Sequence, residues 1–123
     1  MAKLGDRVFD NGLTVLDTEA NAIHITSQEA VDYTDATSTS TLGSSASLSI
    51  GAPADRTGGG REVTVAAISD GSVAATGVAS HYAIVDTVNL RLLAAGALAA
   101  SQSVTAGNTF TLASFTIGIP DPA

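Results

Sequence analysis

Arg61-Glu-Val-Thr-Val-Ala-Ala-Ile68 alternates β-branched residues with small or polar ones, and Ser69-Asp70-Gly71-Ser72 behind it has the composition of a tight turn. Val73 to Thr76 then leads through Gly77 into Val78-Ala-Ser-His-Tyr-Ala-Ile-Val85. A two-residue period rich in β-branched side chains marks a strand, and Asp-Gly supplies the positive φ that a tight hairpin requires. The stretch therefore predicts one strand over Arg61–Ile68, a hairpin turn, and a second long strand in which Gly77 marks a bulge or kink.

Toward the carboxy terminus the pattern repeats. Asp86-Thr-Val-Asn89 reads as a turn, Leu90 to Ala97 as a third strand, and Ala106-Gly107-Asn108 as a further turn beside Val104. Leu90-Arg-Leu-Leu-Ala-Ala is locally helix-friendly, but Gly96 and the flanking turns disfavour a helix there. Phe110, Leu112, Phe115, Ile117 and Ile119 alternate, with a phase change at Ala113-Ser114 that predicts a bulge, and Pro120-Asp-Pro122 ends the pairing.

Toward the amino terminus the signal thins. Ala22-Ile23-His24-Ile25-Thr26 alternates and predicts a strand with Ile23 and Ile25 on one face and His24 on the other. Val8, Phe9, Leu13 and Leu16 recur at helical spacing, yet Asn11-Gly12 interrupts them, so residues 1–21 are expected to be an arm or a short helix. From Ser27 to Ser47 the composition turns to Ser, Thr, Asp and Gly, with Tyr33 and Leu42 as the large apolar anchors, and predicts a long loop laid over a neighbour. Leu48 and Ile50 are expected to pair briefly before Gly51-Ala-Pro53 and Gly58-Gly59-Gly60. The reading is a mainly β chain, an antiparallel β-sandwich or flattened barrel formed as a single domain over 22–123.

Composition narrows the function. The 123 residues carry a net charge of -7, which argues against a nucleic-acid partner, because phosphate binding needs Lys and Arg to displace counterions. The absence of cysteine excludes disulfides and thiolate metal sites. No window approaches the roughly 20 apolar residues of a membrane span. Asp6, Asp10 and Asp17 interrupt any signal-peptide core, so the chain is expected to be made and kept in the cytosol. Acidic residues crowd the first third, whereas Arg91 is the one charged residue between Thr87 and Pro120.

Chemistry-bearing groups are few. His81 with Asp86 is the sharpest acid–base pair, but five residues apart on one strand they face opposite sides. His24 and His81 lack the further donors a zinc site needs. The acidic run from Ser27 to Asp35 lacks the spacing and Gly turn of a calcium loop. Gly58-Gly59-Gly60-Arg61-Glu62 is followed by no Lys-Ser or Lys-Thr and reads as a flexible approach to a strand rather than a phosphate loop. Ser44, Ser45 and Ser80 sit in no nucleophile elbow. No catalytic residue, cofactor site or metal site is expected, and the chain is read as a non-enzyme.

Three strand-and-turn series carry a family likeness. They are Gly60-Arg61-x-Val63-x-Val65-Ala66-Ala67; Gly77-x-Ala79-x-His81-Tyr82-Ala83-Ile84-Val85-Asp86; and Gly107-Asn108-Thr109 leading to Phe115-x-Ile117-x-Ile119-x-Asp121-Pro122. In these, the carboxy-terminal half resembles the small virion proteins of tailed bacteriophages that decorate or cement the capsid. The resemblance implies a homo-oligomer, trimer or dimer, made in the host cytoplasm and bound non-covalently to the major capsid protein lattice. On that reading Lys3 and Arg7 contact the capsid, and the nearly uncharged stretch from Thr87 to Ile119 supplies a subunit interface. Two other readings stand beside it: a tail or baseplate component, and a carbohydrate-binding or adhesin module. The last is weakened because the chain has no Trp and only Tyr33 and Tyr82 as polar aromatics.

Overall fold

In the computed structural model, which describes residues 13–119 apart from 15 and 47, strands dominate. They are β1 (Ala22–Thr26), β2 (Thr41–Ser45), β3 (Ala54–Asp55), β4 (Arg61–Val65), β5 (Ile68–Val73), β6 (Gly77–Asp86), β7 (Arg91–Val104), β8 (Thr109–Leu112) and β9 (Phe115–Ile119). One sheet has six strands in the order β7-β6-β1-β2-β5-β8, the other three in the order β3-β4-β9. Every named pairing is antiparallel. The chain thus has the mainly β, antiparallel class read from its sequence, with one large and one small sheet.

The two sheets fall in two compact units. Residues 13–19, Ser49–Ala67 and 113–119 belong to one, Ala20–Leu48 and Ile68–Leu112 to the other. In the smaller unit, β4 pairs with β9 from Arg61 opposite Ile119 to Val65 opposite Phe115, and Ile50 makes an isolated bridge to Val65. Val63 and Val65 are buried, as are Leu13 and Leu16, which are helical. Val8 and Phe9 lie outside the described residues.

In the larger unit β1 sits between β6 and β2, with Ile23 opposite Ile84 and Ile25 opposite Tyr82. Ile23, Ile25 and Ile84 are fully buried, each contributing roughly 1.5–3 kcal/mol relative to exposure. On the other face Ala22, Ala83 and Val85 pack with Ala30 and Ala36, flanked by Tyr33 and Leu92. Small side chains let the segment around a π-helical turn, Asp35–Thr39, lie close against the sheet.

Several expectations are corrected. Arg61–Ile68 is not one strand: it breaks at Ala66-Ala67, so Val65 pairs with Phe115 in one sheet while Ile68 pairs with Leu112 in the other. The phase change at Ala113-Ser114 is the return of the same crossing rather than a bulge. Ser69–Ser72 is no hairpin turn but the body of β5, and Gly71 is absent from the positive-φ glycines 58, 59, 60 and 107. Its missing side chain serves packing, because the Phe110 ring occupies the space a Cβ would take. Ser27–Ser47 is not a loop throughout: β2 is an interior strand between β1 and β5, with Leu42 buried.

The turn expected at Asp86–Asn89 is present, and it holds the one described non-glycine residue with positive φ, Leu90 at 56°. A leucine in this region costs about 1–2 kcal/mol because Cβ crowds the following carbonyl. Leu90 is 64% exposed, so its side chain gains little packing in return. Leu90→Gly is therefore expected to raise stability by about 0.5–1 kcal/mol, the gain being limited by glycine's greater unfolded-state entropy. Urea denaturation with an unchanged slope checks it; a loss of stability would mean that packing of the Leu90 side chain outweighs its backbone strain.

Candidate functional site

Strand register brings the two histidines nearer than their separation in sequence suggests. His24 lies opposite Ala83, and Thr26 opposite His81, so both imidazoles share one face as diagonal neighbours across β1 and β6. Each is nevertheless engaged locally. His24 Nδ1 lies 2.8 Å from Thr41 Oγ1, and His81 Nδ1 lies 2.7 Å from Ser80 Oγ.

The polarity of the Ser80–His81 contact decides its chemistry. A hydroxyl has one proton, and Ser80 Oγ lies within reach of two groups, the Ser27 carbonyl oxygen at 3.1 Å and His81 Nδ1 at 2.7 Å. The direction of the bond follows the imidazole tautomer: with the hydroxyl proton on the Ser27 carbonyl, His81 Nδ1–H donates to Ser80 Oγ, the reverse of the arrangement that activates a serine nucleophile. Adjacent residues on a strand face opposite ways, so sequence spacing gave no hint of this contact.

Asp86 does not join His81. Its carboxylate accepts hydrogen bonds from Asn89 Nδ2 at 2.8 Å and from the backbone amides of Val88 and Asn89 at 2.9 and 3.2 Å. The Asn89 side chain is the largest influence holding its pKa below the ordinary value, with the two amides and Arg91 assisting against the cost of burial. This carboxylate fastens the β6–β7 turn.

Asp35 plays a similar part in the acidic segment. It accepts from the Ser40 hydroxyl and, at 3.1 Å, from the Val31 amide, while its own amide donates to Asp32 Oδ1 at 2.8 Å. The Ser40 hydroxyl, then the Val31 amide, lower its pKa. The acidic residues here close their own loop, and among the described residues no group of three or more His, Asp or Glu is arranged to hold a metal ion.

Gly58, Gly59 and Gly60 all have positive φ and form the tight connection between β3 and β4. Arg56 donates from its backbone N–H to the Gly60 carbonyl and from Nη1 to that of Gly59, at 3.1 and 3.0 Å. Arg61 Nη1 pairs with Asp55 at 2.6 Å. The glycines are a folded turn stapled by arginines, more ordered than a flexible approach to a strand.

These titrating groups set a pH profile. Burial lowers the His24 pKa below 6.5, so the unfolded chain binds the proton more readily; the associated stability is complete above about pH 6.5 and declines as pH falls. Asp35 and Asp86 have lowered values, so their stability is present above about pH 4 and is lost as pH falls through their folded values. Melting temperature is expected to fall in two stages on acidification, with His24→Gln removing the upper stage. A single acid transition in the native chain would contradict the assignment to His24.

Tyr33 and Tyr82 are half-buried, Tyr33 against the alanine-rich cluster and Tyr82 across Gly96. Lys3 and Arg7 lie outside the described residues. No described helix is long and apolar enough to cross a membrane. Compared with known proteins, the chain matches no family model, no curated protein and no solved structure.

Proposed function

We propose that this chain is a structural, non-enzymatic component of a phage virion that decorates the capsid exterior and stabilises it by binding the major capsid protein lattice. The observation that carries the reading is the surface of β7, β8 and their connection. From Leu92 to Leu112 there is no charged residue, yet much of this run, including Ala97, Ala100, Ser101, Ser103 and Thr105 to Thr109, is exposed. A chain of net charge -7 that keeps the exposed residues from Leu92 to Leu112, on both edge strands of its larger sheet and the connection between them, free of charge offers segments suited to burial against other protein.

Two further observations support it. The histidines and the buried carboxylates Asp35 and Asp86 hold the fold together, and the half-buried tyrosines offer no open aromatic platform of the kind sugars stack on. In this reading Lys3 and Arg7 lie across neighbouring capsid subunits. Deleting Met1 to Arg7 is expected to abolish co-sedimentation with empty capsids while leaving the melting temperature unchanged. Undiminished binding would remove the arm from the account, and failure of the full chain to bind would favour a tail component.

A further inference from the structure

Segment 27–40 leaves β1 and enters β2 at adjacent points. Thr26 lies opposite Thr41, and the Ser27 amide donates to the Ser40 carbonyl oxygen at 3.0 Å, so the two ends of the excursion close on each other. A loop of this length with its ends together is an Ω-loop, a compact unit frequently tied to function. Because β1 and β2 are already paired at its base, it can lift from the sheet without parting any strand.

Its hold on the sheet is slight. Of its residues Ala30, Asp35, Ala36 and Ser40 are buried, and the apolar contact consists of Ala30, Ala36 and half-buried Tyr33 against Ala22, Ala83, Val85 and Leu92. Two alanines remove little surface from water, so burial alone fastens the loop weakly. Its turn at Asp35–Thr39 is π-helical, a rare form found frequently at functional sites.

One carboxylate ties the loop to itself. Asp35 Oδ2 accepts from the Val31 amide at 3.1 Å and Oδ1 accepts from the Ser40 hydroxyl, which joins the early part of the loop to its last residue. Both bonds are strongest to an ionised carboxylate, and the Ser40 hydroxyl, then the Val31 amide, hold its pKa below the ordinary value.

We propose that segment 27–40 is a lid latched by the Asp35 carboxylate, so that removing the charge on Asp35 frees the loop from the Ala22, Ala83 and Val85 face while the six-stranded sheet stays intact. The lid is closed above the ordinary carboxylate range, near pH 4, and opens as pH falls through the folded value of Asp35. The other titratable groups around it are Glu29, Asp32 and Tyr33 of the loop, with His24 of β1 and His81 of β6 on the same face of the sheet. β2 brings none, and Arg91 of β7 stands opposite Asp86.

Amide exchange of the full chain at pH 7, where the histidines keep their native state, isolates the carboxylate. The informative amides are those of Ala36 and Ser40, which bond to the backbone carbonyls of Asp32 and Asp35 and not to the carboxylate itself. In Asp35→Asn they are expected to exchange about tenfold faster than in the native chain, the loss of a charge-assisted hydrogen bond, while Ile23, Ile25 and Ile84 keep their rates. Ser40→Ala is expected to act in the same direction and to move acid opening to higher pH. In the native chain, acidification below about pH 4 is expected to deprotect the loop before β1, each rate being compared with that of an unstructured peptide at the same pH. Loop amides unmoved in Asp35→Asn, or β1 deprotected by acid no later than the loop, would overturn the proposal. So would loop and strand amides accelerating together, or an Asp35→Asn chain that does not fold, since either would make the carboxylate part of the fold rather than a latch. No capsid enters these measurements, so lattice binding stands or falls separately.

Discussion

Replacing Gly43 with valine is expected to destabilise the chain by about 3 kcal/mol or more, the upper range for an overpacked core position. A Cβ at this residue would lie 2.5 Å from the Ser72 carbonyl oxygen and 3.0 Å from the Val73 Cα. Both are backbone atoms of the facing strand, so no rotamer change relieves the clash. The β2–β5 seam rests on two registered pairs, Gly43 with Val73 and Ser44 with Ser72. Prying them apart separates β5-β8 from β7-β6-β1-β2. For a domain of this size the melting temperature should drop by about 10 °C or more. A fall of only a degree or two would mean that the sheet does not run through this seam.

Gly71→Ala should be the next most damaging, at about 1–3 kcal/mol. Here the obstacle is the Phe110 ring, whose edge occupies the site of the added methyl group. Phe110 is only 3% exposed, so the ring has little room to withdraw. Because the obstacle is a side chain, Gly71→Ala combined with Phe110→Leu should cost less than the sum of the two single changes, whereas Gly43→Val admits no such rescue. Urea denaturation of the three chains measures the coupling; strict additivity would show that Gly71 and Phe110 do not meet.

The same glycines show what the sequence made legible. Strands with clean alternation and a large aliphatic content, Ala22–Thr26 and Val78–Val85, were readable because period and β-branching agree. The turn at Asp86–Asn89 was readable because Asp and Asn cap such loops through their side chains, as Asp86 does. Asp70-Gly71 misled because glycine has two uses, permitting positive φ and permitting close approach, and composition does not separate them. Thr41–Ser45 reads as loop because its polar composition hides Leu42, the one large side chain it buries. The crossings at Ala66-Ala67 and Ala113-Ser114 were invisible because two strands in different sheets, joined by two small residues, alternate much as one bulged strand does. At the candidate site the odd spacing of His81 and Asp86 sets them apart, and each is engaged elsewhere, whereas the Ser80–His81 contact needs coordinates to be seen.

The central claim is that the protein adds stability to a shell it coats, and the direct measurement is the rupture of empty phage capsids on heating with and without saturating protein. Binding that favours the intact shell must raise its rupture temperature by mass action. The account predicts a saturable increase, lost on deletion of Met1 to Arg7. Capsids that rupture at the same temperature whatever the amount of protein added would contradict it.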